Sequence, residues 1–327
     1  MRILLAIYSD ILTWNIPDAY VERLRREFPH HEFVQAHDAA ETVMLAADAD
    51  IAFSSLIDRA ALASARRLNW IHSPAAGVGS LLFPEMKARP IVVTNSRGTH
   101  AEAMAEHVIG MIIAIFRKFP EAFAHQAAHR WGHDAMTSGE PCRLVRGSVA
   151  GVVGPGAIGT AVGRLLTALG ARVEAIRRRP ALGVPDGAAA VFAPADLHER
   201  LPHWDIVVLA APLTAETRGM FGAAELARMK REAILVNVGR GKLVKEADLI
   251  DALQRRAIRA AALDVVEHEP LDPQSALWDL PNVVITPHTS SLRADYWDIA
   301  VGLFAENLRR FDRGEPLLNV VDKEAGY

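Results

Sequence analysis

Three charged side chains in the second half of the chain, Arg240, Glu269 and His288, have the types and positions for acid–base chemistry on an anionic substrate. Each follows a different short apolar run, as expected for residues at the ends of neighbouring strands. An arginine in a glycine-flanked turn can hold a planar carboxylate through two parallel hydrogen bonds. Histidine transfers protons near neutral pH, and a nearby carboxylate can orient its ring. Each residue also has an alternative interpretation when it is considered alone. Arg240 could be a solvated arginine, Glu269 a carboxylate in a solvated loop, and His288 a structural histidine.

A glycine-rich turn, GVVGPGAIG, predicts a site for the pyrophosphate of a dinucleotide. Gly154 permits a tight turn, Gly156 lets the backbone approach the phosphates, and Gly159 lets a helix pack closely on a strand. The helix that follows begins at Ala157 and Ile158, and its N-terminus offers N–H groups and a positive dipole end to the anion. A turn that is glycine-rich for steric reasons alone is the alternative interpretation.

Short strands and helices alternate on both sides of this turn. Residues 148–153 predict a buried strand, and residues 157–169 predict a helix that ends at Gly170. The alternation over 1–95 and over 147–287 predicts βαβ units, and the continuous apolar strands indicate parallel sheets covered on both faces. We therefore expect an α/β fold with two Rossmann-like, doubly wound parallel-sheet domains.

A long helix is predicted over 99–119, capped by Thr99 with Glu102 in a capping box. Its apolar second half predicts burial between domains or subunits. We expect the C-terminal segment to return to the first domain, so that the nucleotide domain is an insertion. The predicted boundaries are 1–98 with 289–327 for a substrate-binding domain and 99–288 for a dinucleotide-binding domain.

Composition excludes several other classes of protein. The 327 residues are 50% hydrophobic and carry a net charge of −3, so neither disorder nor a global attraction to nucleic acid or anionic membranes is expected. The single cysteine, Cys142, fits a reducing compartment, and the longest apolar run, 108–116, is too short to span a membrane. We expect a cytoplasmic protein without a metal centre, with His30 and His31 in an exposed loop.

Eight segments in order resemble the D-isomer-specific 2-hydroxyacid dehydrogenases over nearly the whole chain: SPAAGVG, HAEAMAEHVIGM, GVVGPGAIG, PLTAETRGMF, NVGRG, ALDVVEHEP, TPHTS and GEPLLNVVD. The resemblance implies a homodimeric oxidoreductase that reduces a small 2-oxo acid, of the glyoxylate or hydroxypyruvate type, to the D-2-hydroxy acid with a nicotinamide cofactor. First-domain side chains near Tyr8 and Leu56 are expected to select the substituent of the acid.

The resemblance also implies roles for the polar residues. His288 is the general acid/base, Glu269 is its partner, and Arg240 anchors the substrate carboxylate. Asp264 is implied to lie near the nicotinamide end of the cofactor. Two further residues implied in cofactor binding are Pro212 and Val238.

The segment SPAAGVG is implied to form a cradle for the substrate carboxylate. The backbone N–H groups of Ala76, Gly77 and Val78 would face the substrate. Gly77 and Gly79 are predicted to supply the backbone freedom that such a concave arrangement of N–H groups requires.

The chain departs from the family pattern in one place. Members that prefer NAD carry an acidic residue about 20 residues past the glycines, where it binds the ribose 2′-hydroxyl. Here Arg177, Arg178 and Arg179 occupy this place. A carboxylate repels a 2′-phosphate and an arginine attracts it, so we expect NADP(H) to be preferred over NAD(H). A solvated basic loop is the alternative.

Two other functions are compatible with parts of the pattern. A dinucleotide-sensing corepressor could share the fold, although the chain has no tail or basic patch for such a role. A dehydrogenase for a bulkier 2-oxo acid could share the catalytic residues. Formate dehydrogenases carry glutamine where Glu269 stands, so the acid here favours chemistry that moves a proton.

Overall fold

The computed structural model describes residues 1–324 and 326. Its strands are β1 Arg2–Ala6, β2 Glu32–Ala36, β3 Ile51–Ser54, β4 Trp70–Ser73, β5 Val92–Asn95, β6 Val149–Val153, β7 Arg172–Ile176, β8 Ala190–Phe192, β9 Ile206–Leu209, β10 Ile234–Asn237, β11 Ala260–Leu263 and β12 Val283–Ile285. Its helices are α1 Asp18–Glu27, α2 Ala39–Ala46, α3 Arg59–Ser64, α4 Pro84–Ala88, α5 Ala101–Phe116, α6 Phe119–Ala127, α7 His133–Ser138, α8 Ala157–Ala168, α9 Leu197–Arg200, α10 Ala223–Leu226, α11 Glu246–Gln254 and α12 Tyr296–Asp312. None of these helices is both long enough and apolar enough to cross a membrane.

The chain divides into two compact units. The first unit contains residues 1–99 together with the chain from Arg293 onward, and the second unit contains residues 100–292. The second unit is therefore continuous in sequence, whereas the first is built from both ends of the chain.

The first unit has a five-stranded sheet with the order β2-β1-β3-β4-β5, and every neighbouring pair of its strands is parallel. The direction of the strand order reverses beside β1, which places the loops after β1 and β3 at a topological switch point. The C-terminal helix α12 completes the core of this unit. The Phe304 ring stacks on Phe53 at 4.4 Å between centroids, and Phe311 stacks on Trp70 at 5.4 Å.

The second unit has a seven-stranded parallel sheet with the order β12-β11-β10-β9-β6-β7-β8. The chain runs outward from β6 on one side and returns beside it at β9, so these two strands mark the switch point. Their carboxyl ends lie at the same edge of the sheet as those of β10, β11 and β12, because all of the strands are parallel. This confirms the predicted α/β fold with two parallel sheets.

The long helix α5 differs from its prediction in two respects. It begins at Ala101 after His100, and the Thr99 hydroxyl donates to the Ser96 carbonyl instead of capping the helix. Glu102 pairs with Arg164 at 2.5 Å, so the predicted capping box is wrong. Most apolar residues of α5 pack on α8 and on β10 and β11 and are buried inside the second unit, whereas Ile109 and Ile113 are only partly buried.

A buried histidine in the first unit predicts a loss of stability in acid. His72 is fully buried beside Trp70, and its Nδ1 lies 2.7 Å from Thr94 Oγ1. Burial lowers the pKa of His72 from its ordinary value of 6.5 to about 3. Between these two values the unfolded chain binds a proton that the folded chain does not bind, so the free energy of unfolding falls as the pH falls, by about 1.4 kcal/mol per pH unit.

We expect urea unfolding monitored between pH 6 and pH 4.5 to show a shallower pH dependence in His72→Gln than in the wild type. The matched control is His37→Gln, because His37 is exposed. Identical slopes in the wild type and His72→Gln would contradict the assignment of this acid sensitivity to His72.

Candidate active site

The glycine turn lies at the switch point of the second sheet and has the shape that a dinucleotide requires. Gly154 has a φ of +89°, and a Cβ atom there would lie 2.5 Å from the Cα of Ala211 in the loop after β9. A Cβ at Gly159 would lie 2.5 Å from the Gly154 carbonyl oxygen, whereas a Cβ at Gly156 would meet no atom within 4 Å. The turn is therefore closely packed on the protein side and open at Gly156. This combination fits a bound pyrophosphate.

The helix α8 begins directly after this turn, at Ala157. The N–H groups of its first turn, which include those of Ala157 and Ile158, have no partners within the helix. They add a positive dipole end beside the open position at Gly156. The residues present therefore fit the pyrophosphate of a dinucleotide.

The three arginines after β7 have different surroundings. The backbone N–H of Arg177 donates to the Phe192 carbonyl, which extends the pairing of β7 with β8 by one hydrogen bond. The Arg177 Nη1 donates to the Gly183 carbonyl at 3.2 Å. The charge of Arg178 helps to lower the pKa of Glu216, after the larger effect of the Thr214 hydroxyl, so Arg178 lies near that carboxylate. Arg179 is exposed.

Two further residues predicted to bind the cofactor follow β9 and β10 at the same edge of the sheet. The Pro212 carbonyl accepts a hydrogen bond from Thr217 Oγ1 at 2.7 Å, which fixes the loop after β9. Val238 donates its N–H to the Leu209 carbonyl and is 2% exposed, so its side chain packs in the core.

The turn that carries Arg240 is organised by a residue that sequence analysis did not single out. The Asn237 side chain accepts from the N–H of Gly239 at 3.2 Å and donates to the carbonyl of Arg240 at 3.1 Å. The Arg240 guanidinium is exposed and donates to the Gly239 carbonyl. A Cβ at Gly241 would lie 1.7 Å from the Val266 carbonyl oxygen, so the turns after β10 and β11 are in direct contact.

Glu269 and His288 form a hydrogen-bonded pair. Glu269 Oε2 lies 2.7 Å from His288 Nδ1, and Glu269 Oε1 accepts from the N–H of Val266 at 3.2 Å. With a carboxylate as its partner, Nδ1 carries the proton, and Nε2 is the nitrogen left for a substrate. His288 has a φ of +55°, an uncommon backbone conformation for a residue other than glycine and one that occurs at functional sites.

Asp264 holds the loop that carries His288. Its buried carboxylate accepts hydrogen bonds from the Thr286 hydroxyl at 2.7 Å, from the Thr289 N–H at 2.9 Å, and from the N–H and hydroxyl of Ser290. The Asp264 carbonyl accepts from the N–H of His288 at 2.9 Å. The family resemblance implies a place near the nicotinamide for this residue, and in the structure its carboxylate is bonded to the 286–290 loop.

The helix α5 supplies a second support for this loop. His107 Nε2 lies 2.9 Å from Thr286 Oγ1 and 3.8 Å from Asp264 Oδ1. His107 was not identified from the sequence, because a single histidine in an apolar helix gives no spacing signal.

The predicted carboxylate cradle follows β4 in the first unit. None of the N–H groups of Ala76, Gly77 and Val78 donates to another group within residues 1–324, and Ala76 and Gly77 are exposed. Asn95 Nδ2 fixes the loop by donating to the Ala76 carbonyl at 2.7 Å. The proposed conformational reason for Gly79 is wrong, because its φ lies outside the left-handed region and a Cβ there would meet no atom within 4 Å.

A pocket of about 230 Å³ adjoins this cradle within the first unit. It lies at the switch point of the first sheet, and Tyr296 closes one side by donating its hydroxyl to the Pro74 carbonyl at 2.9 Å. Burial raises the pKa of this hydroxyl to about 12, so it stays protonated. Most of the side chains that line the pocket are aromatic or aliphatic. They include Ile7, Tyr8, Ile11, Trp14, Leu56, Tyr296 and Trp297.

Comparisons with known proteins agree on one family. Residues 109–290 match the model of the D-isomer specific 2-hydroxyacid dehydrogenase, NAD binding domain. A glyoxylate reductase of Korarchaeum cryptofilum is 33% identical, and the match covers 96% of this chain and 95% of that protein.

Two solved structures are similar over almost their whole length. A D-isomer specific 2-hydroxyacid dehydrogenase family protein of Aeromonas salmonicida has a TM-score of 0.85 at 30% identity, covering 98% of this chain and 99% of that one. An NADPH-dependent glyoxylate/hydroxypyruvate reductase of Sinorhizobium meliloti, in complex with NADP and sulfate, has a TM-score of 0.83 at 28% identity and full coverage of both chains. The chain belongs to the D-isomer specific 2-hydroxyacid dehydrogenase family and is an NAD(P)-dependent oxidoreductase.

Proposed function

We propose that this protein reduces a small 2-oxo acid to the D-2-hydroxy acid with NADPH, and that Arg240, Glu269 and His288 carry the catalysis. The observation that carries the proposal is the pairing of His288 with Glu269 at 2.7 Å, at the sheet edge where the glycine turn also lies. The pair supplies a proton at that edge, as the reduction of a carbonyl group requires.

The proton step follows from this pairing. When bound, the reduced nicotinamide supplies the hydride that C2 of the 2-oxo acid receives. The C2 oxygen takes its proton from Nε2 of protonated His288, which leaves the imidazole neutral. Glu269 holds the ring through Nδ1 and stabilises its protonated form before the transfer.

Two groups of donors are proposed for the carboxylate of the acid, and each is described within its own unit. The Arg240 guanidinium grips the carboxylate and polarises the C2 carbonyl, which combines positioning with stabilisation of developing negative charge. The N–H groups of Ala76, Gly77 and Val78 provide a second set of donors for the carboxylate. The support for this role is that these N–H groups make no other hydrogen bond within residues 1–324.

The cofactor is held by the turn and the loops around it. Gly154, Gly156 and Gly159, with the first N–H groups of α8, bind the pyrophosphate. The loops that contain Pro212 and Val238 form the border of the cofactor site. Asp264 contributes by positioning the loop that carries His288.

Arg177 is the residue that we propose for the 2′-phosphate of NADPH, assisted by Arg178 or Arg179. Charge-assisted contacts of about 1.5–3 kcal/mol correspond to a preference for NADPH over NADH of roughly ten- to more than a hundredfold in kcat/KM. The preference should shrink at high ionic strength, because salt screens a partly exposed ion pair. The Sinorhizobium meliloti relative, which is described as NADPH-dependent, supports this choice.

Arg177→Asp should reverse the cofactor preference, because a carboxylate repels the phosphate and accepts from the ribose hydroxyls. The measurement is kcat/KM for both cofactors at low and high salt. The matched control is Arg172→Asp, the same change at the other end of β7, which should leave the preference intact. Equal use of both cofactors by the wild type, or no shift in Arg177→Asp, would show that these arginines only face solvent.

The relatives and the pocket favour different substituents on the acid. Relatives named glyoxylate reductase support glyoxylate or hydroxypyruvate as the substrate. Glyoxylate has only a hydrogen on its carbonyl carbon and would leave the apolar pocket beside the cradle empty. The pocket, lined by Tyr8, Trp14, Leu56 and Trp297, supports a bulkier apolar 2-oxo acid as the second candidate.

A substrate panel tests the proposed function. We expect turnover of glyoxylate or hydroxypyruvate with NADPH, and we would compare it with pyruvate and phenylpyruvate and with NADH. A higher kcat/KM for phenylpyruvate that falls in Leu56→Asp would favour the second candidate. Cofactor binding without turnover of any acid would favour the dinucleotide-sensing corepressor instead.

A homodimer is also part of the proposal. Ile109 and Ile113 of α5 are only partly buried, and further support comes from exposed aromatic side chains on the segment after this helix. Phe119, Phe123 and Trp131 are 42%, 61% and 94% exposed, and they lie on or beside α6. Apolar patches of this kind are typical of contacts between subunits.

A further inference from the structure

Two histidines and an aspartate from distant parts of the chain converge in the first unit. His30 and His31 lie in the turn between α1 and β2, and Asp312 is the last residue of α12. His30 Nε2 lies 3.1 Å from Asp312 Oδ2, and His31 Nε2 lies 3.0 Å from Asp312 Oδ1. The three ligand atoms all lie within 4.8 Å of one another. The cluster shares no residue with the cradle, the pocket or the catalytic residues.

We propose that His30, His31 and Asp312 bind a divalent transition metal ion of the zinc class. Zinc takes imidazole nitrogen and carboxylate oxygen at about 2.0–2.2 Å, and a tetrahedral arrangement then places neighbouring ligand atoms about 3.3 Å apart. The nitrogen–oxygen separations of 3.0 and 3.1 Å are close to this value. Small side-chain movements would therefore complete the site, and water would take the fourth position.

The cluster is already ordered by its surroundings. The His31 side chain is only 3% exposed, its ring stacks on Phe28 at 6.2 Å, and the ring centroid of His30 lies 4.2 Å away. The His31 ring therefore loses little conformational entropy when a metal ion binds.

A bound metal ion would join the turn after α1 to the end of α12, which lie more than 280 residues apart in the sequence. Because the ion binds the folded chain and not the unfolded one, it would stabilise the first unit. His30, His31 and Asp312 take no part in the proposed reaction, so the effect would be structural.

The test is calorimetric titration of the purified full chain with zinc sulfate, together with thermal unfolding in the presence of zinc or of a chelator. We expect one ion per chain and a zinc-dependent rise in Tm. His30→Ala should weaken binding by roughly tenfold or more and remove the rise in Tm. Its side chain is 62% exposed, so the variant should fold. Asp312→Asn provides a second variant of nearly unchanged volume.

His37→Ala is the matched control, because His37 is an exposed histidine of the same unit outside the cluster, and it should bind zinc as the wild type does. Substitution by Co²⁺ should give the intense visible absorption of a four-coordinate ion in the wild type and not in His30→Ala. No stoichiometric binding, or equal binding by the wild type and His30→Ala, would show that the cluster forms only hydrogen bonds between the protein's own side chains.

Discussion

Replacing His288 by alanine should lower kcat by roughly 10²- to 10⁴-fold while cofactor affinity stays nearly unchanged. In the proposed mechanism the imidazole acts on the oxygen of the substrate, and its Nδ1 is already bonded to Glu269 at 2.7 Å. Removing the ring therefore removes the proton donor and leaves the glycine turn intact. The measurements are steady-state kcat at neutral pH and a fluorescence titration with NADPH.

The variant Glu269→Gln distinguishes the contribution of Glu269 from that of His288. Glutamine can still accept a hydrogen bond from Nδ1, although it no longer stabilises the positive charge on the ring. We expect a loss of kcat that is smaller than in His288→Ala, again without loss of cofactor affinity. A His288→Ala variant that keeps near wild-type kcat would remove this histidine from the mechanism.

Arg240→Lys should be severely damaging although the charge is kept. An ammonium group cannot make the two parallel hydrogen bonds of a guanidinium with a carboxylate. Loss of one such donor to a developing oxyanion costs about 10²- to 10³-fold in kcat, and KM should rise as well because the same group is proposed to bind the ground state. Both constants would be measured with the best acid of the substrate panel.

The matched control for this variant is Arg255→Lys. Arg255 is an exposed arginine at the end of α11 that pairs with Asp251, and its replacement should leave both constants unchanged. If Arg240→Lys changed only the affinity for the cofactor, the placement of Arg240 at the substrate would be wrong.

The parts of the fold that were predicted correctly are those with continuous apolar strands and with glycines that mark the ends of elements. Strand β6, the glycine turn and helix α8 were all predicted from one continuous segment. Gly170 has a φ of +87° and ends the helix as expected. The edge strand β2 and the helix α2 were missed. Strand β2 has only five residues, of which Phe33 and Ala36 are buried, so it lacks a long apolar run.

The start of α2 did carry a signal that could have been used. Asp38 accepts from the N–H of Glu41, and Glu41 accepts from the N–H of His37, which is a capping pattern that the sequence DAAE contains. The same kind of signal misled the prediction at Thr99. The Thr99 hydroxyl donates to the Ser96 carbonyl instead of capping the helix. A sequence pattern cannot show which of two local partners a side chain will bind.

The positions of the candidate residues after strand ends could be predicted from the sequence, and the hydrogen bonds that support those residues could not. The strand ends at Arg240, Glu269 and His288 follow from the alternation of elements, since parallel strands bring their carboxyl ends to one edge. The supporting bonds made by Asn237 and His107 depend on side chains meeting across elements that are distant in sequence. Only the three-dimensional structure shows these contacts.

The construction of the first unit from both ends of the chain sets the order in which the protein can fold during synthesis. The sheet of residues 1–99 lacks the Phe304 and Phe311 rings that stack on Phe53 and Trp70 until α12 has been translated. The second unit has its whole sequence once residue 292 has left the ribosome. The second unit can thus close its core first, although its residues follow residues 1–99 in the sequence. The apolar strands of residues 1–99 stay exposed to chaperones until α12 has been made.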